Sequence, residues 1–163
     1  MSNYGFIDEK TILKQAVRVC DCLGHGENRT AVQMIVETAI VESGLGKIED
    51  KTIKAGIGIT QFDEIPFYDV RERNMKRKNK ILNDLGVDIA LVEWEHLRYN
   101  SFLALLFTRL FYLLLPEQIP SDLEGRARYW KKYYNTSLGK GDVEHYLRMN
   151  EIYGIEYSSW LVA

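Results

Sequence analysis

The chain's 163 residues are enough for one substantial core, and 46% hydrophobic with 27% charged residues is the balance of an ordinary globular domain. A net charge of −2 excludes a bulk electrostatic pull toward nucleic acid or an anionic membrane. Ten tyrosines, within 12% aromatics, suit a core and equally suit a groove that handles sugars or other polyhydroxy ligands.

The opening M-S-N-Y-G-F-I-D-E-K has neither a basic start nor an apolar run, so no secretory leader is expected and synthesis is expected in the cytoplasm. From Lys10 to Leu23 the apolar residues recur at helical spacing, and Gly24 ends the run. Cys20 and Cys22 cannot form a disulfide framework, which points to a reducing compartment for folding. After the turn G-H-G-E-N, Thr30 with Gln33 reads as a capping box for a second helix, apolar on most sides and stopped by Gly44. Residues 47–65 break the pattern, with short β-branched stretches and glycines that predict a small β-hairpin or irregular loop.

Beyond Pro66 the chain turns charged, with R-E-R-N-M-K-R-K-N-K at 71–80, and Gly86 interrupts the next helical pattern. Asp88 is placed to cap a helix over I-A-L-V-E-W-E-H-L-R-Y. The helix that follows, from about Asn100 to Leu115, contains the most apolar segment. That segment, 102–115, is shorter than the ~20 residues a bilayer requires and carries Arg109, so a buried helix is predicted instead of a membrane span. After the connection P-E-Q-I-P, Ser121 with Glu124 forms a second capping-box pattern ahead of G-R-A-R-Y-W-K-K-Y-Y. The loop N-T-S-L-G-K-G leads to Asp142, which caps a last helix over V-E-H-Y-L-R-M-N. The expectation is one mainly α domain over 1–163, with a single β or loop excursion.

Glu37 and Glu42 stand out, because both lie in the apolar second helix. At about 100 degrees per residue, Glu42 falls nearly above Ile35 and beside Ala39, so it extends the apolar stripe. Glu37 lies about 140 degrees away, so the two carboxyls do not face each other, and Glu37 reads as a structural or rim residue. The C-terminal end of a helix disfavours negative charge, as does partial burial. A carboxyl kept protonated near neutrality is what general-acid cleavage of a glycosidic bond demands. The alternative is a helix-end glutamate that points into water.

Three segments bear on that choice: E-S-G-L-G at 42–46, G-I-T-Q-F at 58–62 and Y-Y-N-T at 133–136. In this order and spacing they resemble the successive motifs of the lytic transglycosylases, members of the lysozyme-like superfamily that cleave peptidoglycan. F-T-R-L-F-Y at 107–112 is similar to that family's buried helix, and W-K-K-Y-Y-N-T-S-L-G-K-G looks like the phage and prophage members. The resemblance spans roughly residues 28–150. It implies a lysozyme-like helical domain with Glu42 as the catalytic acid/base and Ser43 as a polar contact beside the cleft. Gln61 would line the cleft, Tyr134 and Asn135 would orient Glu42 or the sugar, and Tyr112 would add a hydroxyl. Thr60 stands where the family has Met, and Thr136 where it has Ala.

By the same resemblance, Glu42 would cleave the bond between N-acetylmuramic acid and N-acetylglucosamine and leave a 1,6-anhydro product. Glycosidases in general use two carboxyls. A hydrolase, the muramidase alternative, would recruit Asp63 or Glu64 to hold water. The other alternative is a non-catalytic lysozyme-like virion module. Delivery by lysis, a holin or a particle would bring such a protein to the wall, where peptidoglycan glycan strands are the expected partner.

No cofactor is expected. Cys20, Cys22 and His25 suggest a metal site, but cysteines two apart on a helix point to different sides, so one buried and one exposed thiol is the expectation. His96 and His145 read as surface or cap residues. The basic run 71–80 reads first as a solvated face. Its functional variants are docking to an anionic wall polymer or a virion partner, while the lack of interleaved aromatics argues against nucleic acid.

Overall fold

A computed structural model describes residues 8–47, 56–137 and 139–154, and the fold is mainly helical. Seven α-helices are present among these residues: α1 (Glu9–Leu23), α2 (Ala31–Ser43), α3 (Glu64–Arg73), α4 (Lys78–Leu85), α5 (Ser101–Leu113), α6 (Leu123–Trp130) and α7 (Val143–Tyr153). Two of them, α2 and α5, form the centre. α1 packs on both, α3 on α5, and α7 on α2 and α6.

The sequence of α2 explains its central place. It is apolar around most of its circumference, and every residue except Gln33 and Glu42 is buried. Each fully buried aliphatic side chain on such a helix, Ile35 and Ile40 among them, contributes about 1.5–3 kcal/mol relative to exposure. α5 buries Ala104 through Leu110 in the same way, and no described helix is long and apolar enough to cross a membrane.

Several helix ends follow local chemistry. Asp142 accepts from the His145 N–H at 2.8 Å and opens α7, and Asn100 accepts from Leu103 to open α5. Gly44 closes α2 in the left-handed conformation (φ 55°), donating its N–H to Ile40 at 2.8 Å.

Other ends differ from expectation because a distant partner wins the side chain. Thr30 precedes α2 but makes no cap bond; its hydroxyl donates to the Pro120 carbonyl at 3.1 Å, and Asn28 donates to Ile119 at 2.7 Å. The two together tie the start of α2 to the P-E-Q-I-P connection. Asp122, not Ser121, stands at the start of α6, and Glu124 pairs with Arg128 one turn on. Asp88 caps Ala90 as anticipated, yet the following stretch forms two short 3-10 turns, Ile89–Leu91 and Trp94–Leu97, and not one α-helix. Glu93 is extended between them, and its N–H is taken by the His96 ring at 2.9 Å, a side-chain bond that competes with helix continuation. Within the excursion at 47–65, the described residues hold one antiparallel bridge, Ile57 with Phe62, closing a tight turn; residues 48–55, where the rest of the expected hairpin or loop falls, lie outside the described ones.

Both cysteines are buried, which corrects the expectation of one exposed thiol. Burial pushes the Cys20 thiol up to about 12 and raises Cys22 as well. Neither therefore supplies thiolate at neutral pH. Iodoacetamide at pH 8 should label the native protein far more slowly than the urea-unfolded chain, and equal labelling of the two states would contradict the packing of α1.

Candidate active site

Glu42 is half-exposed at the last turn of α2, the only position besides Gln33 where that helix reaches the surface. The glycine stop turns the chain away immediately after it. Ser43, one residue on, faces the opposite way and is 1% exposed. Its hydroxyl donates to the Ile59 carbonyl at 2.6 Å and accepts from the Gly46 N–H at 2.9 Å. Ser43 is thus a pin between the end of α2 and the 57–62 turn, and not the polar contact facing a sugar that the motif implies.

The turn itself is built for close approach. Gly58 has φ 76°, and a Cβ there would lie 2.3 Å from the Leu97 carbonyl oxygen, so no other residue fits. Gln61 is held at φ 47° and is 8% exposed, its amide donating to the Gly58 carbonyl at 2.8 Å. The Gln61 side-chain oxygen and the Thr60 hydroxyl are both buried and find no hydrogen-bond partner among the described residues. A non-glycine residue at positive φ beside orphaned polar atoms is strain of the kind that functional clefts retain.

The third segment meets this turn from the other side. After Trp130, α6 widens into a π-helical turn, Lys131–Asn135, closed by the Thr136 N–H on Lys131 at 2.8 Å. Its Tyr134 hydroxyl donates to the Thr60 carbonyl at 2.6 Å. The Tyr134 ring stacks on Tyr112 at 5.8 Å and meets Phe62 edge-on at 6.0 Å. Tyr112 is buried, sharing a hydrogen bond with Thr38 at 2.8 Å. Burial raises both tyrosines well above the usual phenol range, and the Glu42 charge raises them further. Glu42, Tyr112, the Thr60–Gln61 turn and Tyr134 are therefore one constellation, brought together from four parts of the chain.

Trp130 belongs to it too, the first residue of the W-K-K-Y-Y-N-T-S-L-G-K-G segment and one to which no role was assigned from sequence. Its indole N–H donates to Glu42 Oε1 at 3.0 Å. A signal was present in the spacing, since Trp130 precedes Tyr134 by one turn. Nothing local says that this face meets α2, 88 residues earlier in the chain.

Two expected members stand apart. The Asn135 side-chain oxygen accepts from Lys131 Nζ at 2.7 Å, inside its own turn. Asp63 is exposed at the start of α3, although its charge, with that of Glu42, contributes to raising Tyr134. Glu37 is structural: 3% exposed, it accepts from Arg126 Nε at 2.8 Å, Arg126 Nη2 at 2.9 Å and the Tyr146 hydroxyl at 2.7 Å.

Elsewhere, the basic run is largely neutralised in place. Arg71 lies near Glu72 and Glu93, Arg73 pairs with Asp69, Lys78 with Asp88, and Lys80 with Asp84. His25 bonds Asp21 at 2.8 Å, and no group of three His, Cys, Asp or Glu among the described residues could hold a metal. No known protein family, no curated protein and no solved structure matches the chain, so the chemistry of the site has to be argued from its own geometry.

Proposed function

We propose that the protein is a peptidoglycan-cleaving lytic transglycosylase of lysozyme-like type, with Glu42 as its acid/base. The observation that carries the reading is the position of one carboxyl. An otherwise buried helix exposes Glu42 at its C-terminal turn, against the indole N–H of Trp130 and beside the Tyr134–Thr60 clamp. In the reaction, Glu42 protonates the oxygen linking N-acetylmuramic acid to N-acetylglucosamine, and the bond from that oxygen to the muramic C1 breaks. The substrate's own N-acetyl group assists at C1. The Glu42 carboxylate then takes the proton of the C6 hydroxyl, whose oxygen bonds C1 to close the 1,6-anhydro ring, and no water is added. Trp130 steadies the carboxyl through both proton transfers, and the Thr60–Gln61 turn lines the cleft.

The muramidase reading has one observation in its favour. Asp63 is an exposed carboxylate at the start of α3, two residues beyond Gln61, which is where a water-holding group would have to come from. Digestion of cell-wall sacculi, with mass spectrometry of the released muropeptides, separates the readings. The transglycosylase yields anhydro-muropeptides, and Glu42→Gln lowers their release by about 10²–10⁴-fold or more, the usual share of general acid–base catalysis. Reducing ends that disappear in Asp63→Asn would establish the hydrolase, and no release by the wild type would leave a non-catalytic module.

A further inference from the structure

A cavity of about 330 Å³ lies between the end of α1, the end of α5 and the connection to α6. Its volume is at the low end of small-molecule sites, which run roughly 300–1,000 Å³. Leu23, Leu115 and Ile119 give it an aliphatic wall, and the rings of Tyr112 and Tyr129 add an aromatic one. Arg109 from α5 also lines it.

Arg109 is the unusual member. It is 3% exposed in a helix that is otherwise almost wholly apolar. Its Nε and Nη2 donate to one acceptor, the Gly24 carbonyl, at 3.1 and 2.9 Å. That contact caps the C-terminal end of α1, where the helix dipole welcomes a cation. The buried Cys20 thiol is a further neighbour of the guanidinium, but it stays neutral, and among the described residues no carboxylate forms an ion pair with Arg109. Buried cations are ordinarily paired, because desolvation of the charge has to be offset. Here a cavity lies beside the guanidinium, and no described carboxylate supplies the counter-charge.

The rim limits what can fill it. Glu27 and Glu117 are exposed there, and Lys132 already pairs with Glu117. Two acidic side chains at the entrance disfavour a multiply charged anion such as phosphate, while a single carboxylate matches the planar fork of arginine in geometry and charge. We propose that this cavity binds a small monocarboxylate with an aliphatic or aromatic body, its carboxylate held by Arg109 and its body between the leucine wall and the two tyrosines. The site is separate from Glu42 chemistry, although Tyr112 is common to both through its stack on Tyr134.

Benzoate is the simplest probe. Calorimetric titration of the full chain should give saturable one-to-one binding, with a rise in melting temperature at saturating benzoate. Arg109→Gln and Leu115→Trp should each weaken binding at least tenfold. The second variant fills the cavity while leaving the arginine and its cap contact intact, so it decides the matter should Arg109→Gln fail to fold. Benzyl alcohol, of the same shape but neutral, and inorganic phosphate should both fail to displace benzoate. No saturable benzoate binding, unchanged affinity in Leu115→Trp, equal affinity for benzyl alcohol, or displacement by phosphate would each overturn the assignment. In those cases Arg109 is the cap of α1 and nothing more.

Discussion

Glu37→Leu should destabilise the protein by about 3–5 kcal/mol, the cost of breaking a buried ion pair and leaving one charge without its partner. The pair is enclosed, with Glu37 3% and Arg126 7% exposed, and both carboxylate oxygens are engaged by the guanidinium. Burial raises the Glu37 pKa, against the opposing pull of Arg126 and Tyr146. The loss comes from depriving the Arg126 charge of Glu37, so removing both charges should recover most of it. In Glu37→Leu/Arg126→Met the apolar pair fills similar volume, and the remaining deficit is the Tyr146 hydroxyl, stranded without its acceptor at a cost of about 1–3 kcal/mol. Adding Tyr146→Phe should then restore stability further. Urea denaturation of this series decides it: if the double variant loses the sum of its two singles, the groups are not coupled.

The network also holds the candidate site together. Tyr146 packs against Trp130 with ring centroids 5.3 Å apart, and Trp130 is the donor to Glu42. Arg126 additionally donates to the Ser121 carbonyl at 2.8 Å, fixing the start of α6 relative to α2. The two glutamates of α2 thus divide the work. Glu37 fixes the helices that carry Trp130, and Glu42 meets that indole at the surface.

The separation of those roles was readable from helix periodicity alone, since five positions at about 100 degrees put the carboxyls on different faces. The glycine stops at Gly24 and Gly44, the Asn100 start and the Asp142 cap were legible for the same reason: each is decided within one turn of chain. What was not legible depends on partners far away. Thr30 gives its hydroxyl to Pro120, 90 residues on, and a capping-box pattern cannot reveal that competition. Ser43 was expected to be a polar contact beside the cleft, but the Ile59 carbonyl claims its hydroxyl and turns it inward. The 3-10 turns over 89–97 were hidden by an apolar spacing that fits an α-helix, while the deciding bond is between the His96 ring and the Glu93 N–H. Trp130 shared the spacing of Tyr134, but its contact with Glu42 exists only once the end of α6 meets α2, 88 residues earlier in the chain.

The same enclosure that assembles the tyrosines around Glu42 predicts abrupt alkaline unfolding. Burial raises Tyr112, Tyr134 and Tyr146 well above the usual phenol value, and Tyr129 to about 12. In the unfolded chain each ionises near its ordinary value of about 10. Below that pH both states are neutral, and the tyrosines' contribution to stability is fully present. Above it only the unfolded state loses protons, so stability falls as pH rises and continues to fall until the folded-state values are reached. With four such groups the limiting slope is roughly 5 kcal/mol per pH unit, at about 1.4 kcal/mol for each proton. A domain of ordinary stability, about 5–15 kcal/mol, would be exhausted within one to three such units. The tyrosinate absorbance of these four rings should therefore rise together with loss of helical circular dichroism, in one transition near pH 11–13 by that arithmetic. Tyr146→Phe removes one titrating group and should flatten the slope by about a quarter, in proportion to the protons released. Smooth titration of every tyrosine near pH 10 with the helices intact would mean that the hydroxyls reach water in the native state. The Tyr134–Thr60 clamp, which requires a neutral phenol as donor, would then open under the same conditions.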